Sequence, residues 1–290
     1  MANLIGVNFD KPITRIIQER RSWRTFENRP IHKATLAALS DAVADLPAGP
    51  FGGRVRLALI ETAAVGGGGT QKLGTYGVIK DAPTFLAGAV RMGDRAVEDY
   101  GYVFELAILK ATDLGLQTCW LGGTLKRGRF GERLRASDGE IVPAVSPVGY
   151  ARQRRSLVDV TFRTFAGSKN RKPWQELFFD GSFIKPLSPG DAGETTRLLE
   201  MVRLAPSASN NQPWRIVRDR DHRSFHLYLA RTVGYANLFP VDLQKLDMGI
   251  AMCHFTLTAR ELGVKGEWRD SPPDAGPLPE RTSYVASFGI

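Results

Sequence analysis

Cysteine is nearly absent from these 290 residues: Cys119 and Cys253 are the only two. Neither belongs to a CxxC pair, so a disulfide framework and a structural zinc site are both excluded. The four histidines, His32, His222, His226 and His254, are scattered without metal-ligand spacing, and no metal is expected. No run approaches the roughly 18 consecutive apolar residues of a membrane span. The opening MANLIGVNFDKPIT has no basic stretch followed by an apolar one, as a secretory leader would. A cytoplasmic protein is the expectation. The glycine run Gly66 to Gly69 lacks the GK[ST] ending of a P-loop, so triphosphate binding is not implied.

Acidic residues are outnumbered, 30 against 39 Lys and Arg, for a net charge of +9. That excess admits nucleic acid or a small anion as partner. With no helix-turn-helix, RNP-like or zinc motif present, a small anionic ligand is favoured over nucleic acid. Much of the excess lies in Ala151 to Lys172, where Val158, Val160 and Phe162 alternate as in a strand.

The chain repeats itself. Asp99 to Trp120 and Asp247 to Trp268 align without a gap at an offset of 148, matching Gly101 with Gly249, Leu114 with Leu262 and Gly115 with Gly263. The periodicity predicts helices over 12–20, 33–45 and 99–114, with Gly115 capping the last, and strands over 54–61, 83–90, 141–148 and 158–165. The second copy repeats the order with helices over 195–204 and 247–262 and strands over 215–218 and 284–288. This alternation reads as an α+β fold in two tandem halves, residues 12–172 and 173–290.

The halves differ in polar equipment. RRSWR (Arg20 to Arg24) stands only in the first, at the end of a predicted helix where Arg20 and Arg24 would share a face; forked guanidinium donors and the Ser22 hydroxyl suit phosphate. CWLGGT supplies Leu121, Gly122 and Gly123, a turn free of side chains at its glycines. SKNRKPW adds Lys169 and Arg171. Only the second half holds APSASNNQPW, where Pro206, Ser207, Ala208, Ser209 and Asn210 concentrate donors and acceptors able to match a heterocycle's edge. Such complementary losses suggest two half-sites facing each other across one composite site.

These four segments resemble the FMN-dependent nitroreductase family, homodimers with FMN bound across the subunit interface. The tandem arrangement is similar to members in which two subunits are fused, which implies a nitroreductase-like fold forming an intramolecular pseudo-dimer, monomeric in solution, with one FMN. By resemblance, Arg20, Arg21, Ser22, Arg24, Lys169 and Arg171 would hold the phosphate, ribityl chain and pyrimidine edge. The Gly122 amide would meet the flavin, and Pro206 to Asn210 would close from the opposite half. Ala208 stands where the family commonly has a second serine. The mirror-image site, with LPAGPFGGRV (Leu46 to Val55) and QELFFDGSFIKP (Gln175 to Pro186) in place of the motifs, would be without ligand. The implied activity is ping-pong transfer from NAD(P)H to a nitroaromatic, quinone or similar acceptor, with no catalytic side chain nominated; the alternative is an FMN carrier or sensor without turnover.

Overall fold

The computed structural model describes residues 2–62, 74–152, 171–235, 238–273 and 276–289. The predicted strand 158–165, Lys169 and the glycine run 66–69 lie outside them. At the centre two long helices cross, α3 (Ala96–Asp113) and α7 (Leu243–Glu261). Every residue of α3 except Thr112 is buried, including Glu98, Asp99 and Glu105, which explains an apolar face too wide for a surface helix. Both helices end alike. Leu116 N–H donates to Ala111 O and Val264 N–H to Ala259 O, while Gly115 and Gly263 each take φ +77°. That left-handed conformation is the reason for glycine at both matched positions.

The crossing obeys the sequence repeat. A Cβ on Gly101 would lie 2.2 Å from Leu246 O, and one on Gly249 would lie 1.9 Å from Glu98 O. Leu246 stands 148 positions after Glu98, as Gly249 does after Gly101. The contact is therefore reciprocal, as across a two-fold axis.

Each helix has its own sheet. The first contains β3 (Val55–Glu61), β4 (Thr84–Arg91), β7 (Val145–Gly149) and β5 (Gln117–Thr118) in that order, with β6 (Glu140–Ile141) also pairing with β4. The predicted strand 141–148 is thus broken in two, with Pro143, which has no N–H to donate, between the pieces. The second sheet orders β11 (Glu267–Arg269), β12 (Thr282–Gly289), β10 (Ser224–Ala230), β9 (Trp214–Arg218) and β8 (Phe178–Asp180), antiparallel except that β8 runs parallel to β9.

Helices α1 (Ile13–Glu19), α2 (Lys33–Ala44) and α6 (Thr196–Arg203) surround the central pair, and the short α5 (Trp174–Leu177) precedes β8. α4 (Arg127–Leu134) covers the other face of the first sheet through Phe130 and Leu134, packed with Phe85 and Val145. A small hairpin, β1 (Ala2–Leu4) and β2 (Val7–Phe9), opens the chain. Among the described residues no helix is long and apolar enough to cross a membrane, and no group of three or more His, Cys, Asp or Glu could hold a metal ion.

Candidate cofactor cleft

The backbone leaves α1 at Arg20, whose ψ of 127° ends the helix. Helical sharing of one face by Arg20 and Arg24 is therefore incorrect: residues 20–24 run extended beside β5, with Trp23 N–H donating to Thr118 O at 2.9 Å and Ser22 bridging Thr118. The carbonyls freed at the helix end need donors. Arg21 supplies them, turning Nη1 back to Gln18 O and to Arg20 O.

All five residues of RRSWR line one cleft of about 670 Å³, a volume suited to a cofactor. From the first half it also takes Leu121, Gly122 and Gly123; from the second it takes Pro206, Ser207, Ala208, Ser209 and Asn210. Arg171, in the segment joining the halves, lines it too. The predicted site residues within the described segments thus share one cleft. The sides differ in kind: cations on one, a polar turn on the other.

Arg20 is the most telling of the cations. Its residue is 7% exposed, and Nε and Nη1 have no hydrogen-bond partner among the described residues. Burial pulls its pKa down, with the nearby Glu105 carboxylate working in the opposite direction. A buried guanidinium with unmade hydrogen bonds is costly until an anion supplies the acceptors. Arg171 is more fully used: Nη1 donates to Ala205 O at 2.6 Å and Nη2 to Leu204 O at 2.9 Å, tying the joining segment to the end of α6. Burial and the neighbouring Arg20 bring its pKa down to about 10.

The turn after α6 is strained. Ser209, Asn210 and Gln212 take φ of +51°, +55° and +45°, a region costly for residues with a Cβ. It is held by its own members, since Gln212 N–H donates to Ser207 Oγ at 2.9 Å. Gln212, part of the polar run read from the sequence, turns away from any ligand: its amide donates to Asn210 O and accepts from Lys172 N–H, both at 3.0 Å. Ala208 N–H donates to Asp247 Oδ1 at 3.0 Å, so α7 carries the turn.

Gly122 and Gly123 stand close to side chains of the second half. A Cβ on either would lie 2.6 Å from a side-chain carbon of Leu243 or Phe239, respectively. The glycines hold open a passage between the CWLGGT turn and the second half.

Several lining residues were not legible as site residues. Leu243, Leu246 and Ile250 follow helical spacing on α7, a pattern indistinguishable from core. Asp247 showed only as a repeat position. Tyr235 and Phe239, ring centroids 5.6 Å apart, reach the cleft from a loop with no regular pattern. Of the tryptophans considered as ring-lining, Trp23 and Trp120 line the cleft, whereas Trp174 and Trp214 are core residues.

A second cavity, about 830 Å³, lies beside residues 46–57 and Asp99. Its lining residues all come from the first half. Asp99, the counterpart of Asp247, accepts from Phe51 N–H at 2.8 Å and Gly53 N–H at 2.6 Å, so both its oxygens are used by the turn itself.

Comparisons with known proteins agree with this architecture. A family model described as Putative TM nitroreductase matches residues 12–259. No curated protein matches the chain. A solved structure of a putative nitroreductase from Thermotoga maritima superposes with a TM-score of 0.61 at 18% identity, covering 97% of this chain and 94% of that one; the fold is therefore shared over the full length. A nitroreductase with bound FMN from Bacteroides fragilis matches at 20% identity and a TM-score of 0.40, covering 51% of this chain and 92% of its own. A putative NADH oxidase from Clostridium acetobutylicum matches at 20% identity and a TM-score of 0.39, covering 48% and 89%.

Proposed function

This chain belongs to the Putative TM nitroreductase family, and we propose that its cleft holds one FMN and passes reducing equivalents from NAD(P)H to a nitroaromatic, quinone or similar acceptor. The observation that carries this reading is Arg20: two buried nitrogens, Nε and Nη1, without partners among the described residues, beside a cleft that both halves build. A dianionic phosphate supplies the missing acceptors, and forked donors hold it with direction as well as charge.

Arg20, Arg21, Ser22 and Arg24 would grip the phosphate, ribityl chain and pyrimidine edge, with Arg171, and with Lys169 from outside the described residues. The backbone amides of Gly122 and Gly123 would donate to the ring system, and Pro206 to Asn210 would cover it from the second half. FMN, when bound, supplies the hydride chemistry. The protein's own share is position and electrostatics. Trp23, Trp120 and Leu243 exclude water from the cleft wall, and Arg24 stabilises negative charge at its polar edge. Donor and acceptor using the cleft in turn makes the kinetics ping-pong. A chain that already supplies both sides of the cleft is expected to be monomeric.

The test is the visible spectrum and cofactor content of purified protein, followed by anaerobic mixing with NADH and NADPH. One FMN per polypeptide and bleaching of the flavin band by either nucleotide are expected. Two FMN per chain would contradict a single composite site. Bound FMN that neither nucleotide bleaches would mark a carrier or sensor, and failure to bind FMN after reconstitution would remove the reading.

A further inference from the structure

Arg127 occupies a position that is unfavourable on three counts. It is the first residue of α4, whose first turn contains no acid, and a cation there opposes the helix dipole. Burial draws its pKa below the ordinary arginine value. Its Nε is buried with no partner among the described residues. What it gains lies at the far end of the side chain, where Nη2 donates to Gly122 O and, at 3.3 Å, to Pro143 O.

The Gly122 carbonyl and the Gly123 N–H belong to one planar peptide unit. No described peptide is cis, so the two bonds point in opposite directions. Gly122 and Gly123 line the cleft and Arg127 does not. A carbonyl held on the Arg127 side therefore turns the Gly123 N–H toward the cleft, and that N–H has no acceptor among the described residues. At the 148 offset the second half has Asp270 in place of Gly122 and Ala275 in place of Arg127, so the glycine and the arginine occur together on the side where the cleft is.

We infer that Arg127 is a positioning residue for the bound flavin: it clamps the Gly122 carbonyl from behind and, as a cation on that oxygen, polarises the peptide so that the Gly123 N–H becomes a stronger donor to a ligand acceptor atom. Hydrogen bonds to charged groups are the strong ones, and linked hydrogen bonds reinforce one another. The inference rests on FMN as the ligand, but its first half concerns the turn alone and is separately measurable.

Wild type, R127K and R127M are compared in two ways: amide ¹⁵N–¹H spectra of the cofactor-free protein, and FMN titration followed by flavin fluorescence and by the absorption band of the bound form. In R127M the Gly123 amide proton should move upfield while amides of α3 and α7 hold their positions. FMN affinity should fall about tenfold, the scale of one charge-assisted hydrogen bond, and the bound-flavin band should shift. R127K, a cation without the fork, should fall between, and added guanidinium ion should restore part of the affinity in R127M. An unmoved Gly123 resonance, or unchanged affinity and band in both variants, overturns the inference. Should R127M lose its near-ultraviolet circular dichroism, R127K decides by the same criteria. Wild type that fails to bind FMN refutes the functional reading, and with it the flavin role of Arg127, while the amide spectra still decide the clamp.

Discussion

At the scale of single residues, Asp247 shows how position within a repeat changes chemistry. Its counterpart Asp99 has both oxygens occupied by turn amides, whereas Asp247 Oδ2 is buried with no partner among the described residues. Burial pushes the Asp247 carboxyl well above the usual carboxylate range, with Asp242 adding to the rise and the Ala208 amide opposing it. Tyr235 lies close enough to feel its charge, and burial raises the Tyr235 pKa. A folded pKa above the unfolded value, about 3.9, means that the native state binds the proton more tightly. The stabilisation is complete below that value and is lost as pH rises through the folded pKa. D247N keeps an oxygen for Ala208 N–H but has no charge to bury. Urea midpoints of D247N measured against wild type should therefore improve steadily from acid to neutral pH; a difference independent of pH would mean that Asp247 ionises as an ordinary carboxylate. None of this was visible in the sequence, where Asp99 and Asp247 are matched positions and nothing more.

At the scale of elements, the crossing of α3 and α7 rests on Gly101 and Gly249, which the repeat marked without saying why. The structure supplies the reason, backbone against backbone. G101A and G249A each force the helices apart, and each should cost about 1–3 kcal/mol or more in thermal melts. G128A in α4 is the contrast: a Cβ there meets nothing within 4 Å, so it should leave stability unchanged or raise it by up to about 1 kcal/mol. Equal effects at all three positions would contradict close contact at the crossing. Helices were the more legible elements, since 3.6-residue periodicity over many residues is a strong signal; α3 began at Ala96 and α7 at Leu243, three and four residues before the aligned repeat. Strand β10 was not read from SFHLYLA, although Phe225, Leu227 and Leu229 alternate. Its intervening His226 and Tyr228 are buried as well, so hydrophobic contrast between its faces is poor. RRSWR lines the cleft but does not continue the helix, because helical spacing in a short basic run cannot reveal that β5 offers a carbonyl to pair with.

At the scale of the whole molecule, the halves are joined by a buried polar chain. His254 on α7 places Nδ1 2.9 Å from Met201 O and Nε2 3.0 Å from Glu105 Oε1 on α3; Trp120 Nε1 donates to Glu105 Oε2 at 2.6 Å. Both ring nitrogens lie within hydrogen-bond distance of oxygen atoms. Glu105 and His254 are 0% exposed, and Trp120 lines the cleft. H254L removes one of the two partners of the buried Glu105 side chain, leaving Trp120, and should cost about 3 kcal/mol in denaturant unfolding; a loss below about 1 kcal/mol would show the contact to be incidental. Composition, the 148-residue repeat and the unequal motifs were enough, by themselves, to determine the α+β class and to single out the cationic run and the polar turn that line the cleft, because periodicity and turn chemistry are local properties of a chain. Only the tertiary structure decided which groups go unpaired there, that Gln212 turns inward, that Arg127 holds the Gly122 carbonyl and that Tyr235 and Phe239 close one wall. Those outcomes depend on distances between residues remote in sequence, and hydrogen bonding and desolvation act through such distances and not through spacing along the chain.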